Sequence, residues 1–165
     1  MEKQHRLLLI EDNEGDLLLA RLALEEVNFQ HKIHTCRSIG EGLNLLKELP
    51  YFDCSPPVDY ILLDLNLLGR YGITFIEELK QDAKLQIIPI FVFTTSSSQK
   101  DIYECYKAQA NLYITKPLTY EGYVSVFGML KQMCSHVQPP KYYDSEKCNG
   151  HIGSRTISQG ETSPF

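Results

Sequence analysis

Positive charge is scarce in this sequence. Its 16 Lys and Arg residues are outnumbered by 21 Asp and Glu residues, which gives a net charge of −5 at pH 7. Binding along a nucleic-acid backbone needs clustered Lys and Arg, so we expect no direct contact with DNA or RNA. A small net negative charge is also explained by solubility alone.

Paired cysteine motifs and long apolar runs are missing as well. The sequence has no C-x-x-C and no Cys/His spacing typical of a zinc site, because its five cysteines are widely separated. They are Cys36, Cys54, Cys105, Cys134 and Cys148. We therefore expect reduced thiols in a cytoplasmic protein. The N-terminal segment has only four consecutive apolar residues, Leu7–Ile10, so neither a signal peptide nor a membrane span is expected.

Short apolar runs alternate with longer amphipathic segments over residues 5–135. The runs typical of buried parallel strands are Arg6–Ile10, Lys32–Cys36, Tyr60–Leu63, Ile87–Phe93 and Asn111–Thr115. The segments that favour helices begin at Asn13 and Ser38, cover Ile73–Lys84 and Lys100–Gln109, and run from Thr119 to about Cys134. Five β-α units in succession predict a doubly wound, five-stranded parallel sheet with helices on both faces.

Local signals mark the ends of these elements and of the domain. Asn13 and Ser38 are expected N-caps, and Glu41 would complete a capping box with Ser38. The proline-rich stretch 50–57 is expected to be a loop. Residues 136–165 are rich in Ser, Gly, Pro and charge, without periodicity, which predicts a flexible tail after one domain at 5–135.

Polar side chains follow four of the five expected strands. They are Glu11 and Asp12, Asp64, Thr94 and Thr95, and Lys116. In an open α/β sheet the ligand site lies past the carboxyl ends of the strands, where the strand order reverses. Three carboxylates gathered there would repel one another unless a cation lay among them. The pattern therefore predicts Mg²⁺ bound by Glu11, Asp12 and Asp64, with the backbone carbonyl of Asn66 as a further ligand.

The same residues suit a phosphoryl acceptor. A carboxylate such as that of Asp64 can take up a phosphoryl group to form an aspartyl phosphate. The transfer requires little more than alignment and neutralised charge on the equatorial oxygens, which Mg²⁺, Lys116 and Thr94 could supply. Each residue alone could be a helix cap, a turn residue or a surface residue, but the topology brings all of them to one edge.

Four motifs carry a family resemblance: LLLIED (7–12), YILLDLN (60–66), FVFTT (91–95) and YITKP (113–117). In this order they resemble the receiver domains of two-component response regulators. The resemblance covers about residues 5–134 and implies a flavodoxin-like (βα)5 fold. It also implies that a histidine kinase phosphorylates Asp64, that Glu11 and Asp12 hold magnesium, and that Asn66 offers its carbonyl.

The resemblance implies further roles at the fourth and fifth strands. Thr94 is similar to the family's switch hydroxyl and Tyr113 to its switch aromatic, which would fill the space that Thr94 vacates on phosphorylation. Lys116 is similar to the family's lysine, and the Lys116–Pro117 bond is expected to be cis, aiming the ammonium at the site.

A narrower resemblance concerns EDNEGDLLLARLALEE, DLNLLG and FTTSSSQKDI, which are similar to small stand-alone regulators of bacterial and cyanobacterial phytochrome kinases. It implies output by protein contact or phosphorelay, and a possible homodimer. Leu68 departs from that group, where proline is common. The apolar stripe Tyr120, Tyr123 and Phe127 of the last helix could pack on the sheet or face a partner.

Other functions fit the sequence less well. A phosphatase of the haloacid dehalogenase type would need a second Asp two residues after its nucleophile, where this chain has Asn66, a neutral amide that cannot protonate a leaving group. An FMN binder would not place Glu11 and Asp12 beside a phosphate. A receiver that serves only as a scaffold would be expected to have lost one of the acidic or lysine positions.

Overall fold

The computed structural model describes residues 5–29, 31–50, 55–68, 70–136 and 138. The strands of this part of the chain are β1 (His5–Ile10), β2 (His31–Cys36), β3 (Tyr60–Leu63), β4 (Asn66–Leu67), β5 (Arg70–Tyr71), β6 (Ile90–Thr94) and β7 (Leu112–Thr115). Its helices are α1 (Glu14–Glu26), α2 (Ile39–Glu48), α3 (Ile73–Gln81), α4 (Gln99–Lys107) and α5 (Tyr120–His136).

Five of the strands form one parallel sheet in the order β2-β1-β3-β6-β7, which confirms the predicted doubly wound fold. From β1 the chain passes to β2 on one side and then returns to β3 on the other. Ile10, the last residue of β1, lies beside Cys36 and Leu63, the last residues of both neighbours. The residues that follow these strands therefore emerge together at one edge, at the switch point.

Alternate residues of the strands face opposite layers of helices. Leu8 and Ile10 of β1 join the core beneath α2, α3 and α4, whereas Leu7 and Leu9 join the core beneath α1 and α5. This period of two matches a strand buried on both faces. Each fully buried Leu side chain contributes roughly 1.5–3 kcal/mol to folding.

The helix starts agree with the predicted caps. The Asn13 side chain accepts a hydrogen bond from the Asp16 amide at 3.0 Å, and the Ser38 hydroxyl accepts one from the Glu41 amide at 3.2 Å. Helix α3 ends at Gln81, before the predicted Lys84. The reason is that the Asp82 carboxylate accepts the amide hydrogens of the two residues at 84 and 85 in a local turn, which competes with the helix.

A short antiparallel hairpin, β4–β5, follows β3 and was not predicted. Asn66 pairs with Tyr71, and Leu67 pairs with Arg70. In the sequence, the glycine at 72 indicates only a tight turn after Asp64. Strands of two residues leave no periodic pattern, so the hairpin is not visible in the hydrophobicity of the sequence.

The three cysteines among the described residues, Cys36, Cys105 and Cys134, are free thiols, as predicted, and all three are buried. Burial raises the pKa of Cys105 and of Cys134 to about 11, so both remain protonated thiols at neutral pH. Cys54 and Cys148 lie outside the described residues, as do most of the predicted tail at 136–165 and residues 51–54 of the predicted loop. No described helix is both long enough and apolar enough to cross a membrane.

Candidate functional site

Three acidic side chains meet at the carboxyl edge of the sheet. One carboxylate oxygen from each of Glu11, Asp12 and Asp64 lies within 4.8 Å of the others. The backbone enforces this proximity, because the Glu11 amide donates to Cys36 and the Asp64 amide donates to Ile10, each at 3.0 Å. The ladder of the sheet thus continues past the ends of β1 and β3. The predicted cluster is present.

Lys116 lies opposite this cluster and is almost fully buried. Its backbone amide donates to the Thr94 carbonyl at 2.7 Å, which fixes the end of β7 against the end of β6. Its Nζ donates to Glu11 Oε2 at 2.5 Å and to Asp64 Oδ2 at 2.9 Å, and only 2% of the side chain is exposed. One ammonium therefore neutralises carboxylates from two neighbouring strands.

The pKa shifts agree with this arrangement. Burial alone would lower the pKa of the Lys116 ammonium, but the hydrogen bonds to Asp16, Glu11 and Asp64 outweigh burial and raise it above its ordinary value. Burial raises the pKa of the Glu11 carboxyl, and the hydrogen bond and charge of Lys116 offset only part of that rise. The Lys116 ammonium therefore stays charged at neutral pH, beside a Glu11 carboxyl whose pKa is higher than usual.

Asp16 is a member of the site that the sequence analysis missed. Its Oδ2 accepts a hydrogen bond from Lys116 Nζ at 2.8 Å, and its Oδ1 accepts one from the Tyr123 hydroxyl at 3.1 Å. In the sequence, Asp16 is only an acidic residue in the first turn of an expected helix, where the helix dipole favours a carboxylate. No spacing in the sequence signals the contact, because Asp16 belongs to α1 and Lys116 follows β7, 100 residues further along the chain.

Asn66 connects Asp64 with the end of β6. Its backbone amide donates to Asp64 Oδ1 at 3.2 Å, while its side-chain amide makes long contacts of 3.4 Å to Thr94 Oγ1 and 3.3 Å to Thr95 Oγ1. Thr94 is fully buried and Thr95 is exposed. The predicted hydroxyls therefore lie beside the acidic cluster, linked to it by one amide side chain.

Tyr113 and the aromatic residues of α5 lie on either side of Lys116 along the chain. The Tyr113 hydroxyl donates to the Ser96 carbonyl at 2.9 Å, two residues beyond Thr94. In α5, Tyr123 and Phe127 are buried edge-to-face against Phe93 of β6, so this part of the stripe packs on the sheet. The partner-facing alternative is therefore wrong for both residues.

The Lys116–Pro117 bond is trans, and the predicted cis bond is therefore wrong. The prediction came from the resemblance alone. A trans X–Pro bond is favoured by about 0.5–1 kcal/mol, so a cis bond needs a compensating contact. A cis bond is not required here, because the Lys116 ammonium contacts its three carboxylates with the Lys116–Pro117 bond in the trans form.

Gly72 holds the segment after Asp64 in place by close approach. A Cβ at this position would lie 2.7 Å from the Asp64 carbonyl oxygen and 2.8 Å from the Leu65 Cα, which are backbone atoms that cannot rotate away. We expect Gly72→Ala to lower the free energy of unfolding by about 1–3 kcal/mol. Urea denaturation would measure this loss.

The matched control is Gly40→Ala in α2, where a Cβ would meet nothing within 4 Å. This change should leave stability unchanged or raise it by about 0.5–1 kcal/mol, because alanine is the better helix former. Equal stabilities of the two variants would contradict the close approach at Gly72.

The donor set fits a hard divalent cation. Carboxylate oxygens are the ligands that Mg²⁺ prefers, and it is usually held by one or two carboxylates together with water and phosphate oxygens. Glu11, Asp12 and Asp64 offer such oxygens around one point. Asp12 also accepts a hydrogen bond from the Leu68 amide at 2.7 Å, which connects the turn between β4 and β5 with the acidic cluster.

Comparison with known proteins agrees with this geometry. The sequence model of the response regulator receiver domain matches residues 7–126. The chain belongs to the response regulator receiver family. This receiver is 33% identical over 110 residues to the response regulator Rcp1 of Synechocystis sp., an alignment that covers 67% of the chain and 75% of Rcp1.

Solved structures resemble the receiver over most of its length. The crystal structure of the phosphorylated cyanobacterial phytochrome response regulator RcpA aligns with a TM-score of 0.73 at 28% identity, covering 84% of the chain and 100% of RcpA. The Mn²⁺-bound form of Rcp1 aligns with a TM-score of 0.72 at 28% identity, covering 82% and 99%. The chain is thus a signalling receiver with the flavodoxin-like fold, related to phytochrome response regulators.

Proposed function

We propose that this receiver, at residues 5–135, acts as a stand-alone response regulator in which Asp64 accepts a phosphoryl group from a histidine kinase. The observation that carries the proposal is the convergence of Glu11, Asp12 and Asp64 on one point, with the buried Lys116 ammonium on Asp64. A nucleophilic carboxylate beside a fixed cation is what phosphoryl transfer requires, since catalysis rests on positioning and charge neutralisation.

The two oxygens of Asp64 are held by different donors. Oδ1 accepts from the Asn66 amide and Oδ2 accepts from Lys116. In the reaction, one Asp64 oxygen forms a bond to phosphorus as the bond from phosphorus to the kinase imidazole nitrogen breaks, and the imidazole leaves with the electron pair. The Lys116 ammonium and the Thr94 hydroxyl would each bind one equatorial oxygen.

Glu11, Asp12 and Asp64 would hold Mg²⁺, with the Asn66 carbonyl as a further ligand. When bound, the ion would neutralise charge on a transferring phosphoryl oxygen. The Mn²⁺-bound form of Rcp1 supports a divalent cation in this family.

The contacts around Thr94 suggest how the phosphoryl group would alter the surface. Its hydroxyl accepts from the Ser96 amide at 3.4 Å, and the carbonyl of Ser96 accepts from the Tyr113 hydroxyl. Movement of Thr94 toward a phosphoryl group would therefore pull on the segment that holds Tyr113. Thr94 and Tyr113 would form the switch, and its output would be protein contact or phosphorelay in the cytoplasm, with a homodimer as one form.

The kinase is proposed to be of the phytochrome type, because the chain is similar in structure to RcpA, a cyanobacterial phytochrome response regulator. Acetyl phosphate should phosphorylate the purified protein only with Mg²⁺, and intact-mass spectrometry would detect one added phosphoryl group. Borohydride reduction should then locate the acyl phosphate at Asp64. In a second arm, a phosphorylated phytochrome-type kinase should transfer faster than a chemotaxis-type kinase.

The arms of this experiment separate the two levels of the proposal. Labelling that persists in EDTA would contradict the role of Mg²⁺. A label on another residue would contradict Asp64 as the acceptor. Normal labelling by acetyl phosphate with equal transfer from both kinases would remove only the phytochrome pairing.

A further inference from the structure

We infer that Asp16 is a positioning residue, which keeps the Lys116 ammonium in place when Glu11 and Asp64 become engaged with metal and phosphoryl group. The inference rests on the proposed function, since it concerns the same transfer. Nothing in the strand-end pattern points to Asp16; it comes from the first turn of α1.

The geometry around Lys116 assigns one carboxylate to each of its three N–H groups. Nζ lies 2.5 Å from Glu11 Oε2, 2.8 Å from Asp16 Oδ2 and 2.9 Å from Asp64 Oδ2. An ammonium has three donors and no acceptor, so this arrangement is complete. The arrangement also orients the ammonium: with two N–H groups on Glu11 and Asp16, the third N–H points at Asp64.

The three partners differ in what else they must bind. Glu11 and Asp64 belong to the acidic cluster that would hold the cation, whereas Asp16 is not part of that cluster. A cation on Glu11 and Asp64 attracts electron density from the oxygens that Lys116 uses and repels the ammonium. Asp16, whose Oδ2 lies 2.8 Å from Lys116 Nζ, would not be drawn toward the cation and would remain a partner of the ammonium.

Tyr123 holds Asp16 in this orientation. Its hydroxyl donates to Asp16 Oδ1 at 3.1 Å, which leaves Oδ2 for Lys116. Tyr123 as a whole is 2% exposed, and its ring lies edge-to-face with that of Phe93 at 5.4 Å between centroids. Since the ring is fixed by the core, its hydroxyl is a rigid support for the carboxylate.

Asp16 should matter most in the phosphorylated, metal-bound protein. With the metal bound and the phosphoryl group on Asp64, Lys116 would donate to a phosphoryl oxygen and keep Asp16 as its anchor. Without Asp16 the ammonium would be free to rotate out of line with the phosphoryl group. Removing Asp16 should therefore slow phosphoryl transfer while leaving the fold intact.

The test uses Asp16→Asn, which retains the shape but not the charge. With acetyl phosphate at saturating Mg²⁺, we expect its initial rate of phosphorylation to fall about tenfold, the effect of one charge-assisted hydrogen bond. Asp16→Glu should recover most of the rate. Tyr123→Phe removes only the supporting hydroxyl and should slow the reaction about two- to threefold.

The matched control is Glu14→Gln. Glu14 lies in the same turn of α1 and has the same charge, but it is exposed and pairs with Arg37 instead of Lys116. Its rate should equal that of the unmodified protein. Equal rates for Glu14→Gln and Asp16→Asn would overturn the inference, as would an Asp16→Glu variant no faster than Asp16→Asn.

A second readout does not depend on turnover. In the ¹H–¹⁵N spectrum of the protein with Mg²⁺ and beryllofluoride, the Lys116 ammonium should give a slowly exchanging signal that is lost in Asp16→Asn. A signal that persists in Asp16→Asn would contradict the anchoring role. If the unmodified protein is not phosphorylated, the proposed function itself fails, whereas normal phosphorylation of every variant removes only the role of Asp16.

Discussion

Asp64→Asn should accept no phosphoryl group from acetyl phosphate or from a histidine kinase, at any Mg²⁺ concentration. The asparagine has nearly the same shape and can still accept the Asn66 amide that binds Asp64 Oδ1. The asparagine amide is not a nucleophile, however. The substitution also removes one of the three carboxylates of the predicted cation site. Both attack on phosphorus and cation binding are thereby weakened. Intact-mass spectrometry after incubation with Mg²⁺ and the donor would measure the loss.

Asp82→Asn is the matched control for this change. Asp82 follows α3, away from the acidic cluster, and its carboxylate accepts backbone amides at 84 and 85, which an asparagine can also do. This variant should be labelled like the unmodified protein. Labelling of Asp64→Asn at even a tenth of the control level would mean that another residue is the acceptor.

The fold could be predicted because the information is local. The buried strands of a parallel sheet are short apolar runs, and Tyr60–Leu63 and Ile87–Phe93 stand out between polar segments. The first is β3 as predicted, whereas β6 begins later than predicted, at Ile90, and ends at Thr94. The errors arise where side chains compete with the backbone, as at Asp82, which ends α3 early. They also arise where elements are too short for periodicity, as in the hairpin of Asn66–Leu67 and Arg70–Tyr71.

The strand-end part of the site was predictable for a related reason. Parallel strands in register bring their carboxyl ends to one edge, so Glu11, Asp64 and Lys116 could be placed together before any contact was known. The roles of these residues in phosphoryl transfer remain predictions. The prediction of a cis bond before Pro117 was wrong, and it depended on the resemblance alone. The cis and trans isomers of an X–Pro bond differ too little in energy to be distinguished from the sequence.

The helical part of the site was not predictable. Asp16 precedes Lys116 by 100 residues and Tyr123 follows Asp16 by 107, so no spacing along the chain signals either contact. The same holds for Asp59, which is fully buried and accepts three hydrogen bonds from Arg6. Interactions between side chains of distant elements depend on how the helices dock on the sheet, and a hydrophobic pattern does not contain that.

Lys116→Met should lower the free energy of unfolding of the metal-free protein by about 3–5 kcal/mol, because it breaks a buried ion pair on one side only. Methionine fills a similar volume, so packing against Phe93 changes little. The side chains of Glu11 and Asp64, 3% and 7% exposed, lose the cation that neutralises them. Urea denaturation in EDTA would measure the loss, with Lys107→Met, an exposed lysine, as the control.

The pH dependence of that loss follows from the direction of the Glu11 shift. Burial already raises the pKa of Glu11 with Lys116 present, and without the ammonium the pKa should rise further. A carboxyl whose pKa is higher in the folded than in the unfolded state favours folding when protonated, so stability falls as pH rises through the folded pKa. The deficit of Lys116→Met should therefore be largest at neutral pH and shrink as the pH is lowered through that pKa.

Mg²⁺ should restore part of the lost stability, since a cation bound only by the folded state stabilises it by mass action. It would do so by replacing the ammonium as the counterion of Glu11 and Asp64. Even when Mg²⁺ stabilises it, the Lys116→Met variant should accept phosphoryl groups slowly, because no ammonium remains to bind an equatorial oxygen of the phosphoryl group. A Lys116→Met protein as stable in EDTA as Lys107→Met would show that the acidic cluster does not depend on this ammonium for its neutralisation.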